Sequence, residues 1–146
     1  MRWISTLARV VLGGVLIVAG VLKAADPQAS VTAVRAYELL PARLATVVGW
    51  GLPFAEIALG ALLLAGVGTR AVAVAAAVLL LVFVAAVVSA ALRGLSIDCG
   101  CFGGGGPVAP EKTAYGAEIA RDLGLLLVAG WLVTRPESRL SLERRR

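Results

Sequence analysis

Two cysteines separated by one glycine, Cys99-Gly100-Cys101, are the residues of this chain best suited to chemistry. Thiols so close in sequence can just meet the Cα separation of ~4.4–6.8 Å that a disulfide tolerates, and the closed ring is small and strained. Strain makes a disulfide more oxidising, so the pair is suited to exchange with the thiols of another protein. Gly100 can take backbone angles that other residues avoid, and the glycines from Gly103 to Gly106 give the segment room to approach a partner. Three plainer readings compete, one of them two free thiols at a membrane surface. A structural disulfide closing so short a loop removes little unfolded-state entropy and stabilises weakly. Two thiolates could instead hold Cu(I), whereas zinc or an iron–sulfur cluster needs further ligands. This chain has two cysteines and no histidine, so it does not supply them, and imidazole-ligated haem and Ser-His or Cys-His catalysis are excluded with them.

Glu56 is the second chemical residue. It stands inside an apolar stretch, where a carboxyl costs ~2.5 kcal/mol or more on insertion scales. Gly49, Pro53, Glu56 and Gly60 follow a 4-3-4 spacing and share one helix face. Pro53 frees the carbonyl of Gly49, so that face is polarised, closely packable and expected to point into a bundle. Glu56 could carry a proton or meet a quinone head group, with Lys23 and Arg121 shaping the pocket. It could equally be neutral, or paired with Lys23 or Arg121, only to hold helices together. Arg121-Asp122 and Lys23/Asp26 read as interfacial anchors, close enough in depth to the cysteines to build a polar mouth beneath them.

The elements that must position these groups are membrane helices. Of the 146 residues 60% are hydrophobic, against ~45–50% in soluble domains, and the mean hydropathy is +0.92. The first span is about 4–22; Arg9 interrupts it and can snorkel from a helix end. A signal-peptide reading of this segment lacks a clean Ala-x-Ala site after Leu22, and a retained helix is favoured. Asp26 and Pro27 then read as an N-cap with proline at N1, opening a short helix. Val31, Val34, Tyr37 and Leu40 give that helix one apolar face, up to Pro41. It is too short to span and fits an interfacial position. The remaining spans are about 45–67, 71–92 and 114–134; the one at 71–92 carries no charge and is the clearest. The expected fold is therefore all-α: an integral membrane four-helix bundle in one domain over 1–134, with a basic cytoplasmic tail at 135–146.

Positive charge orients such a bundle. The side bearing the termini holds eight Lys and Arg residues and the cysteine side six. The excess puts both termini in the cytoplasm and the cysteine loop outside, where disulfides persist. The net charge of +5 reflects basic residues at the ends of apolar segments. It fits topology and anionic lipid rather than nucleic acid, since no basic helix with interleaved aromatics exists.

Several stretches together resemble a known family. They are Ala19-Gly20-Val21-Leu22-Lys23 with Asp26-Pro27, Tyr37-Glu38-Leu39-Leu40-Pro41, Leu52-Pro53-Phe54-Ala55-Glu56-Ile57 with Gly60, Cys99-Gly100-Cys101-Phe102-Gly103, and Arg121-Asp122-Leu123. In this order, over about residues 13–133, they resemble the methylamine utilisation protein MauE, within a broader DoxX-like group of four-helix membrane proteins. The resemblance implies a plasma (inner) membrane protein working beside thioredoxin-fold proteins outside the cytoplasm, in maturation of a disulfide-rich extracytoplasmic protein. The activity class is then thiol–disulfide oxidoreductase, with Cys99 and Cys101 as catalytic residues and quinone as the candidate cofactor. A non-catalytic assembly factor and a Cu(I)-handling protein are the rivals.

Overall fold

The structure, a computed structural model, describes residues 2–98, 106–107 and 115–135. Within them the chain is all-α apart from one two-residue ladder: α1 Arg2–Ala25, α2 Pro27–Ala36, α3 Ala42–Ala65, α4 Thr69–Leu92, β1 Ile97–Asp98, β2 Gly106–Pro107 and α5 Tyr115–Thr134. Three helices are long and apolar enough to cross a membrane: Trp3–Ala25, Ala42–Ala65 and Thr69–Leu92. The segment expected as the fourth span is helical, as the 20-residue α5, but α5 is not among these three. Its first two turns carry Glu118, Arg121 and Asp122, which separates it from the three apolar spans.

Local chemistry sets the boundaries. The Asp26 carboxylate accepts from the Ala29 N–H at 3.1 Å, and Pro27 occupies the first turn, where its missing N–H costs nothing. α3 ends on Gly66 at φ 72°, a left-handed cap that satisfies the Leu62 carbonyl through the Gly66 N–H at 2.9 Å. Gly68 at φ 57° completes the turn into α4.

The central core is Leu12, Leu16, Leu63, Val72, Ala76, Leu80, Ala129 and Leu132, drawn from α1, α3, α4 and α5. The outward surface stays apolar: Leu7, Val47, Phe54, Val78, Leu81 and Leu127 are all more than half exposed, as a lipid-facing surface requires and a soluble one would not tolerate.

α1 and α3 pack at backbone distance. A Cβ built on Gly20 would lie 2.6 Å from the Pro53 carbonyl oxygen, and one on Gly60 would lie 2.6 Å from that of Gly13. Small residues let the helices approach this closely. α4 makes its main packing against α5 and far less against α3.

Two expectations need correcting. α2 ends at Ala36, so Tyr37 and Leu40 lie beyond it, and the residues it buries are Ser30, Val31 and Ala33. Val31 abuts Gly49 of α3, where an added Cβ would meet the Val31 Cα at 2.7 Å. The face that matters is thus the one docked on α3, because glycine at 49 leaves a groove for it. Arg9 does not turn outward either. It is 2% exposed, two turns inside α1. Near that end of the bundle Ser5 Oγ donates to the Arg135 carbonyl at 2.9 Å, Trp131 Nε1 donates to Ser5 Oγ at 3.1 Å, and Arg70 Nε donates to the Val133 carbonyl at 3.0 Å.

Candidate functional site

Helix α3 presents one buried stripe: Gly49, Pro53, Glu56 and Gly60, together with Ala45 and Leu63. Each member has a separate physical task. Gly60 admits α1, Gly49 admits α2, and Pro53 withholds the N–H that would have bonded the Gly49 carbonyl. That carbonyl is taken instead by Ser30 Oγ, which donates to it at 2.7 Å in a buried contact. The proline's loss inside α3 is therefore repaired by α2.

Glu56, 1% exposed, accepts a hydrogen bond at Oε1 from Lys23 Nζ at 2.7 Å. Lys23 is 4% exposed. The ion pair joins the end of α1 to the middle of α3, and its burial makes it a costly arrangement unless both charges are present. Lys23 Nζ also stands 5.1 Å from the centre of the Phe83 ring of α4, within cation–π range. Glu56 Oε2 is buried with no hydrogen-bond partner among the described residues.

Of the three residues expected to share a pocket, Lys23 and Glu56 come together as an ion pair. Arg121 Nε donates to Asp122 Oδ1 at 3.1 Å, and both residues bear on Lys23 electrostatically through space. Asp122 (2% exposed) and Glu118 (8%) are buried within the bundle. A cavity of about 280 Å³ opens beside the pair between α2, α3 and α4, and Lys23, Ser30 and Phe83 are among its lining residues.

Cys99 and Cys101 lie outside the described residues, but the stems of their segment are described. Ile97 pairs with Pro107 and Asp98 with Gly106 in antiparallel register. Ile97 is buried, its N–H donates to Tyr115 Oη at 3.2 Å, and the Tyr115 hydroxyl donates to the Leu95 carbonyl. Arg93 reaches the Tyr37 carbonyl. Together these contacts tie the short ladder to the end of the bundle where α4 finishes and α5 begins.

Residues 1–135 match the family model for methylamine utilisation protein MauE. The chain belongs to the MauE family. Neither a curated protein nor a solved structure matches it. Membership in the MauE family, with three helices of membrane-crossing length, makes this a membrane protein and points to methylamine utilisation. Three of the stretches by which the sequence resembles MauE converge in space. Gly20 and Lys23 of the first lie against Pro53, Glu56 and Ile57 of the third, and Asp122 of the last bears on Lys23.

Sequence reasoning missed Ser30, Phe83, Tyr115 and Glu118. For Ser30 there was a signal: a carbonyl freed by a mid-helix proline needs a donor. Nothing in the linear pattern marks Phe83 or Tyr115, whose roles arise only from how α4 and α5 are placed.

Proposed function

We propose that this MauE-family protein is a thiol–disulfide relay of the plasma membrane, exchanging Cys99 and Cys101 with thioredoxin-fold proteins outside the cytoplasm. In this reading the four long helices are a transmembrane bundle, α2 lies at the outer interface, and both termini face the cytoplasm. The observation that carries it is the ladder of Ile97 with Pro107 and Asp98 with Gly106, which brackets the Cys-Gly-Cys segment. Tyr115 ties that ladder to the bundle.

The chemistry balances as a relay. A thiolate of one reduced partner attacks one sulfur of the Cys99–Cys101 disulfide, forming a mixed disulfide and releasing the other sulfur as a thiolate. The partner's second thiol attacks the mixed bond, so the partner leaves oxidised and two electrons with two protons reside on Cys99 and Cys101. A second thioredoxin-fold protein, arriving as a disulfide, takes them and restores the pair. The client of such a relay in methylamine utilisation would be a disulfide-rich extracytoplasmic protein.

Trapping tests this reading. Cys99→Ser or Cys101→Ser, leaving one thiol, should accumulate mixed disulfides with a thioredoxin-fold partner, and the double serine variant should form none while the bundle stays folded. Capture by the single-cysteine variants no greater than by the double variant, or full activity of the double variant in maturation, would reject the relay in favour of a non-catalytic assembly factor.

A further inference from the structure

Helix α3 is sealed against α1 by glycines and against α2 by Ser30, yet it meets α4 only lightly. The space left between α2, α3 and α4 is the cavity of about 280 Å³. Its wall is mostly apolar, built from side chains such as Leu52, Leu79 and Ala86, and Lys23 is the one charged residue among the described residues that line it. Val48 of α3 and Val82 of α4 line the cavity and are also exposed on the outer surface of the bundle. They form a rim that faces lipid where these helices cross a bilayer.

The ammonium of Lys23 carries three donors. Among the described residues one is used, by Glu56 Oε1. Another side of the ammonium faces the Phe83 ring, and the charge is already balanced by Glu56. A carboxylate or phosphate guest would add a second negative charge to a neutral pair in an apolar wall, which desolvation opposes. A neutral acceptor would take an unused N–H without disturbing the pair. The volume admits one ring or a short chain, near the lower end of small-molecule sites, so any longer tail must leave between Val48 and Val82 into lipid.

We infer that this cavity is a binding site, entered sideways from the bilayer, for a neutral lipophilic molecule whose carbonyl oxygen accepts a hydrogen bond from Lys23. The site goes beyond the cysteine relay and stands without it.

The test uses the full-length protein in lipid nanodiscs and decylubiquinone as the neutral carbonyl probe, with binding measured by equilibrium dialysis. Saturable binding of one molecule per chain is expected, displaced neither by dodecane nor by decanoate at equal concentration. Leu79→Trp, which fills the cavity without touching the ion pair, should weaken binding about tenfold or more. Ala86→Phe fills the same space from the next turns of α4 and replaces it if the first variant does not fold. Lys23→Met/Glu56→Leu, which removes the donor and its counter-charge together, should weaken binding by a similar factor. Cys99→Ser/Cys101→Ser should bind as the wild type does, so failure of the relay and failure of this site are told apart. Unsaturable partitioning overturns the inference. So do affinity indifferent to a folded cavity-filling variant and equal competition by decanoate.

Discussion

The two sides of helix α3 are packed on opposite principles. Toward α1 the contact is backbone on backbone: Gly20 and Gly60 leave no room for a methyl group, Gly13 leaves little, and the Lys23–Glu56 pair locks the register. Toward α4 the same helix presents Val48 and Leu52 across a cavity. In lipid there is no hydrophobic drive to close such a gap, because the tails are as apolar as leucine; close contact and hydrogen bonds must do it. The side with glycines and polar partners is therefore shut, and the side with neither stays open. The position of small and polar residues, rather than overall apolarity, decides which seams of this bundle close.

The strongest way to break the closed side is to remove one charge of its ion pair. Lys23→Met leaves Glu56 buried without its cation, and the folded bundle should lose about 3–5 kcal/mol. Combining Lys23→Met with Glu56→Leu should recover most of the loss, since a well-packed apolar pair replaces a desolvated one. Unfolding of the single and double variants in detergent, read as a double-mutant cycle, checks this. A double variant no better than the single one would show that the pair does not act as a unit.

The glycines come next. Gly60→Ala would place a methyl 2.6 Å from the Gly13 carbonyl oxygen, and two backbones cannot yield as a flexible side chain does. A loss of about 1–3 kcal/mol is expected. Gly51→Ala lies on the same helix, but its added Cβ would have nothing within 4 Å. It should be neutral or stabilising by up to about 1 kcal/mol, because alanine suits a helix better than glycine. Thermal unfolding of the two variants side by side separates seam from surface, and equal melting temperatures would refute the contrast.

Much of the closed side was legible in the sequence and almost none of the open side. The 4-3-4 spacing of Gly49, Pro53, Glu56 and Gly60 is a helical period, and periodicity transfers directly into a buried face; all four are buried. Asp26 and Pro27 act locally, so their cap could be read in place. The choice of Lys23 over Arg121 as the partner of Glu56 could not, since 33 residues separate the pair and both cations were available. Arg9 was misread because snorkelling assumes a helix end, while α1 begins at Arg2 and places Arg9 two turns inside. The apolar face assigned to α2 holds at Val31, which is buried, and Val34, Tyr37 and Leu40 line one cavity, but the helix itself stops before Tyr37, with Glu38 at φ 53° in the turn that follows. The cavity is a property of packing that does not happen, and no single residue announces it.

The smallest effect tests the hinge between the two sides. Ser30 belongs to the closed side through its bond to the Gly49 carbonyl and lines the open one. Ser30→Ala deletes the donor that compensates for Pro53 and leaves a buried carbonyl unsatisfied, at a cost of about 1 kcal/mol or somewhat more. The prediction is sharper in combination. Pro53→Ala restores an N–H to α3 that can bond the Gly49 carbonyl along the helix, so Ser30→Ala should cost less in that background than in the wild type. If α2 is held mainly by Val31 against Gly49, its docking survives either change, and hydrogen exchange of α2 amides should rise only modestly in Ser30→Ala. Additive losses from the two substitutions would mean that serine and proline are not coupled through this carbonyl. The short helix would then owe its position to the glycine groove alone.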